Sequence, residues 1–323
     1  MTLATTPPLA LLDDSFPLPL DRPFSVTEAA AEGVTANMLT RLVRQSLLRR
    51  PVQGAYVAVQ AGDSLRIRAQ ALGLVVPEDA IVCDRHAAWL RGAEMALAPG
   101  EHLALRPISL FRPSGHGRIR RALADSGERN LLDRDTSEVH GLRVTTPLRT
   151  ALDLGRVRST DMAISAMDAT ARLGHFGLDE LLAEVPRFAG MRWVTTLRAI
   201  APLVDPRSES PGESVLRLRW LETGLGRPVP QVEVRELGRL LARLDLGHEE
   251  IRFAAEYDGE EWHSSPEQLE HDRDRRSYLC RERDWTIVAA RKENVFGHHQ
   301  DVDALLRGGH AEALGRLGTR LRW

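Results

Sequence analysis

Residues 244–263 read LDLGHEEIRFAAEYDGEEWH, and this stretch decides how the last part of the chain is interpreted. Residues 243–246 are typical of the end of one strand, and 247–250 of a polar turn. Residues 251–257 are rich in β-branched, aromatic and small apolar side chains, which predicts a second strand. Gly259 ends that strand. We therefore expect a two-stranded hairpin here.

Three acids fall within the strands of this hairpin, namely Asp245, Glu256 and Asp258. Side chains alternate along a strand, so Glu256 and Asp258 should project together while Ala255 and Tyr257 face the opposite side. Carboxylates crowded at a strand end repel each other unless a cation neutralises them, and hard oxygen ligands suit Mg²⁺ or Mn²⁺. The alternative is a solvated hairpin with acids at its exposed tips.

The composition sets broad limits on fold and function. The 323 residues are enough for two or three domains, and 43% hydrophobic with 27% charged residues fits a globular protein. The net charge of -2 gives no global basic signal, so nucleic-acid binding would need local patches. Cys83 and Cys280 form no metal or disulfide pattern, which predicts a reducing, cytoplasmic location. No apolar run is long enough to span a membrane.

The N-terminal part predicts a DNA-binding module. Residues 1–21 are interpreted as a flexible leader, and 22–60 as a winged helix-turn-helix with helices over 24–32 and 36–45, a Gly33 turn and a short β-wing. No acid occurs from residue 33 to 62. This arrangement places a basic helix in the major groove, although such a helix is also often only a solvated face. The expected DNA contacts are Arg41, Arg44, Arg49 and Arg50.

The rest of the chain predicts a mixed α/β protein. We expect an α+β middle domain over 61–205, a linker at 205–208 and a C-terminal domain over 206–323. Ser210 caps a helix with Pro211 at its first position, and that helix carries Glu213. Strands over 231–235, 240–246 and 251–257 follow, then a helix from 266 and a strand over 285–290. The order is therefore α-β-β-β-α-β.

That order, with acids at these points, resembles the PD-(D/E)XK nuclease fold, and more closely its Vsr- and MutH-like endonucleases, over roughly the last 115 residues. The resemblance implies a restriction-endonuclease-like core with Mg²⁺ or Mn²⁺ held by Asp245 and Glu256. It also implies that His263 acts as the base and that Arg276 contacts DNA. The positions implied for the catalytic site are Glu213, Asp245, Glu256, Asp258, His263 and Asp272.

One position departs from the family's pattern. The family's usual Lys follows the Glu by two residues, where this chain has Asp258. Asp258 could ligate a second metal with His263 as the base, or the site could be degenerate, or Lys292 could substitute from another position. The turn also leaves the register open, because a tight turn at 247–250 would place Asp245 opposite Arg252 instead of Glu256.

A second resemblance covers the N-terminal part. The segments GVTANMLTRLVRQSLLRRPVQGAY and TTPLRTALDLGR resemble AbiEi-type antitoxins, which implies DNA and a toxin or defence-system protein as partners. Two hypotheses follow. The first is a metal-dependent DNA endonuclease in phage defence or DNA repair. The second is a non-catalytic antitoxin or transcriptional regulator with a degenerate nuclease domain.

Overall fold

The computed structural model describes residues 11–98, 100–103, 107–259, 266–297 and 300–320, with the backbone alone for 266–272 and 320. It contains helices and several sheets, which confirms the expected mixed α/β class. The chain forms two compact units, Met1–Asp153 and Leu154–Trp323.

The first unit begins with two short helices and a three-stranded sheet. Ser25 accepts the Glu28 N–H while the Glu28 carboxylate accepts the Ser25 N–H, a capping box that fixes the start of the first helix. Thr35 caps the second helix, and Gly33 adopts a φ of 75° between them. The strands lie in the order β1-β3-β2. The elements are β1 (Phe24–Ser25), α1 (Val26–Ala31), α2 (Ala36–Arg44), β2 (Leu48–Val52) and β3 (Ala55–Ala58).

A five-stranded sheet with the order β6-β5-β4-β8-β7 completes this unit. Its core contains Trp89, Leu110 and Val144. The polar strand β6 was not predicted, because its sequence ADSGER lacks the apolar alternation of a half-buried strand. The elements are α3 (Leu65–Gly73), β4 (Ile81–Val82), α4 (Asp84–Leu90), β5 (Ile108–Pro113), β6 (Ala124–Arg129), β7 (Thr136–Val139), β8 (Leu142–Thr145) and α5 (Pro147–Leu154).

The second unit starts with helices that the sequence placed in the middle domain. The expected linker at 205–208 is packed instead: Asp205 and Ser208 are buried, and the Asp205 N–H donates to the Asp168 carboxylate at 2.9 Å. The unit boundary therefore lies near residue 154 and differs from the expected boundary at 205. The helices from the expected middle domain are α6 (Thr160–Ala171), α7 (Leu178–Glu184) and α8 (Val194–Ile200), and α9 (Pro211–Thr223) follows them.

A four-stranded sheet with the order β12-β11-β10-β9 forms the rest of the second unit. Strands β9, β10 and β11 are antiparallel neighbours, and β12 runs parallel to β11. From α9 onward the element order is the expected α-β-β-β-α-β. No helix in the described part of the chain has the length and apolar character needed to cross a membrane. The elements are β9 (Val229–Glu236), β10 (Arg239–His248), β11 (Phe253–Asp258), α10 (Pro266–Glu282), β12 (Thr286–Arg291), α11 (Lys292–Val295) and α12 (Val302–Arg320).

Candidate active site

The register between β10 and β11 brings two predicted acids together. Leu246 pairs with Ala255 and His248 with Phe253, so the next position along places Asp245 opposite Glu256. The connection is wider than a tight turn, because residues 249–251 form a 3₁₀ turn and Arg252 adopts a left-handed φ of 51°. The alternative register, with Asp245 opposite Arg252, is therefore wrong.

Asp245 lies in an electrostatically unfavourable place for a carboxylate. The Tyr257 N–H donates to its Oδ2 at 2.7 Å, which favours the ionised form. Burial opposes ionisation more strongly than this hydrogen bond favours it, and the negative charges of Glu213, Glu256 and Asp258 oppose it further. Together these effects raise the pKa of Asp245 to about 7. The four acids expected from the sequence thus lie close enough to interact, and we call them the carboxylate cluster.

Glu256 and Asp258 project to the same side, as the strand alternation predicts, and share one guanidinium. Arg276 on α10 donates from Nε to Glu256 at 2.7 Å and from Nη2 to Asp258 at 2.9 Å. Arg275 lies at 3.4 Å from the other Glu256 oxygen. Glu256 is only 5% exposed. Arg276, expected to contact DNA, is therefore occupied by two carboxylates of the cluster.

Glu213 is positioned by the start of α9. The Ser210 side chain accepts the Glu213 N–H, so the residue lies in the first helical turn. Its carboxylate accepts the Glu209 N–H and the Gln231 side-chain amide, each at 2.8 Å. Gly212 permits the close approach of this turn to β11, since a Cβ there would lie 2.1 Å from the Tyr257 ring. Helix and strand are in direct contact beside the cluster.

Gln231 is a site residue that the sequence analysis missed. The flanking pairs Leu244–Val232 and Leu246–Pro230 place Gln231 opposite Asp245, so Gln231, Asp245 and Glu256 form one row across three strands. Gln231 also adopts a left-handed φ of 57° within β9. A polar residue beside Pro230 in an otherwise apolar strand was the available signal.

Two residues implied by the resemblance lie outside what the structure describes. These are His263 and the side chain of Asp272. Within the described residues, no three or more His, Cys, Asp or Glu side chains form a group able to hold a metal ion. Mg²⁺ nevertheless commonly uses one or two protein carboxylates and keeps several waters, and the facing pair of Asp245 and Glu256 meets that requirement.

The four arginines predicted to contact DNA in the first unit differ in their surroundings. Arg41 and Arg44 on α2 and Arg50 on β2 are exposed. Arg49 is half-buried and donates to the Gly62 carbonyl oxygen. The structure therefore offers three guanidiniums to solvent and holds the fourth against its own backbone.

Comparison with known proteins gives relatives but no assigned activity. No protein-family model matches the chain. Two proteins of Mycobacterium tuberculosis are similar to it, Uncharacterized protein Rv2248 of strain H37Rv and Uncharacterized protein MT2308 of strain CDC 1551. Each is 29% identical over 255 residues, which cover 79% of this chain and 89% of the relative. Neither name states an activity, so the functional argument rests on the site.

Proposed function

We propose that this protein is a metal-dependent DNA endonuclease whose site is the carboxylate cluster of the second unit. The observation that carries the proposal is the facing pair of Asp245 and Glu256, with Glu213 and Asp258 close enough to help raise the pKa of Asp245 to about 7. A carboxyl group whose ionisation is opposed by burial and by neighbouring carboxylates suits a cation site. The α-β-β-β-α-β order is consistent with the resemblance to PD-(D/E)XK nucleases.

The residues of the cluster have distinct roles in this proposal. Asp245 and Glu256 would hold the metal through their carboxylate oxygens, and the Tyr257 N–H orients Asp245. Glu213, which accepts a hydrogen bond from the Gln231 side-chain amide, would hold a water molecule near the metal. A bound Mg²⁺ or Mn²⁺ would supply a Lewis acid and an activated water for phosphodiester hydrolysis. His263 is proposed to take the proton from that water near neutral pH.

Binding of the DNA substrate is assigned to the first unit. We interpret helices α1 and α2, the Gly33 turn and the β2–β3 hairpin as a helix–turn–helix with a wing. The exposed side chains of Arg41, Arg44 and Arg50 are available for contacts with phosphate oxygens. The basic character is local, in agreement with a net charge of only -2.

A second candidate function is a non-catalytic DNA-binding regulator of the AbiEi type with a toxin or defence-system partner. Two observations favour it. Asp258 occupies the position of the family's lysine, and Arg276 binds Glu256, one of the proposed metal ligands. In that case the carboxylate cluster is a structural ion-pair network and the protein acts by binding DNA alone.

Incubation of plasmid DNA with the full-length protein and Mn²⁺ tests the proposal. We expect nicking by the wild type and none by Asp245→Ala or Glu256→Ala, because each loses a metal ligand while keeping its fold. His263→Ala should keep metal binding and slow cleavage by roughly 10²–10⁴-fold. Glu233→Ala is the matched control, since Glu233 is an exposed acid of the same sheet that pairs with Arg235.

Calorimetry with Mn²⁺ separates the two functions. A wild-type protein that neither binds Mn²⁺ nor nicks DNA would favour the regulator. Equal nicking by wild type and by Asp245→Ala would indicate a contaminating nuclease and would refute the assigned site.

A further inference from the structure

The strongest unexplained feature of the cluster is the way one guanidinium joins two carboxylates. Arg276 uses Nε for Glu256 and Nη2 for Asp258, at 2.7 Å and 2.9 Å. The side chains of Arg276 and Glu256 are 25% and 6% exposed, so solvent screens this contact weakly. The planar fork of Arg suits such a bridge, whereas the ammonium group of a Lys acts as a single point charge.

The positive charge is distributed unevenly across the cluster. Arg276 compensates Glu256 and Asp258, and Arg275 lies 3.4 Å from Glu256 with a side chain that is 30% exposed. Asp245 receives the neutral Tyr257 N–H. In the described part of the chain it has no ion pair, although Glu213, Glu256 and Asp258 all act on it. The carboxylates of Glu256 and Asp258 are thus neutralised by an arginine of the protein itself, whereas that of Asp245 is not.

We propose that Arg276 is a built-in counter-cation of the carboxylate cluster, which stabilises the metal-free protein and lowers its affinity for a divalent cation at Asp245 and Glu256. The inference rests on the proposed metal site and assigns Arg276 a charge-balancing role. Asp258, in the position where the nucleases that this domain resembles carry a lysine, acts as the second anchor for this guanidinium. The cation expected at that position is supplied from α10.

Mn²⁺ titration of three full-length proteins tests this role. The Arg276→Gln variant removes the charge, and Arg275→Gln is the matched control because its neighbouring guanidinium lies farther from Glu256, at 3.4 Å. We expect Arg276→Gln to bind Mn²⁺ about 10- to 100-fold more tightly than the wild type, since a like charge near the ligands has gone. Arg275→Gln should stay within about 3-fold of the wild type, as a weak, partly exposed ion pair implies.

Thermal unfolding with and without Mn²⁺ distinguishes a counter-cation from a structural residue. In chelator, Arg276→Gln should melt below the wild type, because it leaves clustered carboxylates uncompensated. On addition of Mn²⁺ its melting temperature should rise more than that of the wild type, since tighter binding stabilises the fold further. Equal losses of melting temperature with and without Mn²⁺ would overturn the proposal.

The outcomes also separate this inference from the proposed function. If the wild type binds Mn²⁺ and Arg276→Gln binds it no more tightly, the counter-cation role of Arg276 is refuted while the proposed metal site is supported. If neither protein binds Mn²⁺, both fall. Should Arg276→Gln fail to fold, Arg276→Lys carries the test, because its point charge cannot span both carboxylates. Its affinity should exceed that of the wild type by a few-fold, and an equal or weaker affinity would refute the proposal.

Discussion

Arg217 on α9 and Asp168 on α6 form an ion pair of 2.6 Å in which the side chains are only 2% and 1% exposed. Arg217 also donates to Ser208 Oγ and to the Leu203 carbonyl oxygen. A buried charge without its partner costs several kcal/mol. The helix that carries Glu213 is therefore fastened to a helix more than forty residues earlier in the chain, and the two belong to one folding unit.

We predict that a fragment of residues 154–323 folds and that a fragment of residues 206–323 does not. The shorter fragment lacks Asp168 and the whole of α6, so the face of α9 that carries Arg217 and packs on α6 loses both its ion pair and its cover. Circular dichroism melts of both fragments give the measurement. A cooperative transition of the shorter fragment at the temperature of the longer one would contradict this prediction.

Asp245→Asn should stabilise the metal-free protein at neutral and alkaline pH. The pKa of Asp245 is raised from 3.8 to about 7, so the folded protein holds this proton more tightly than the unfolded chain does. Stability therefore falls as pH rises through this window, and a neutral Asn removes that loss. We expect a gain of up to about 4 kcal/mol above pH 7, shrinking to nothing below about pH 4.

Urea unfolding in the presence of a chelator, measured across this pH range, gives the comparison. Glu233→Gln serves as the control, because the carboxylate it removes is exposed and belongs to the same sheet. A gain that is constant with pH would show that the Asn acts through packing or hydrogen bonding and not through the ionisation of Asp245.

The double variant Arg41→Ala/Arg44→Ala should weaken binding to duplex DNA and reduce the slope of log affinity against log salt by about 2. Both guanidiniums are exposed on α2 and available to phosphates. Arg49→Ala should leave that slope unchanged, because Arg49 donates to the Gly62 carbonyl oxygen. Fluorescence anisotropy over a salt series measures both, and an unchanged slope in the double variant would refute the DNA-binding assignment.

Gly212→Ala should lower stability by about 1–3 kcal/mol, the usual cost of overpacking a filled site. A Cβ at residue 212 would lie 2.1 Å from the Tyr257 ring. Tyr257→Ala removes that ring, so the double variant should be less destabilised than the sum of the two single variants. Additive losses, measured by urea unfolding, would mean that the glycine is required for another reason.

Local sequence rules predicted part of the cluster. The alternation of β11 placed Glu256 and Asp258 on one side, where Arg276 joins them. The helix cap at Ser210 predicted the position of Glu213 in its helix. The pairing of Asp245 with Glu256 could not be predicted, because it depends on the width of the connection and not on the residues within either strand.

Contacts between distant parts of the chain could not be predicted from the sequence. The Pro- and Ser-containing segment at 205–208 has the composition of a linker, yet it packs against α6 and α9 through Asp205 and Ser208. Arg276 was predicted to contact DNA, because nothing in the sequence of its helix indicates that its partner is Glu256, a carboxylate twenty residues earlier on a strand. Composition and periodicity describe one element at a time, whereas these partners depend on how elements meet.

The length of the four-residue connection at 249–252 helps to set the register between β10 and β11. Its residues lie near the surface and take little part in the core. The number of residues in the connection is constrained, since one residue more or fewer would shift β10 along β11 and turn Asp245 away from Glu256. Changing the length of this connection would therefore disturb the carboxylate cluster even though every residue of the cluster is kept.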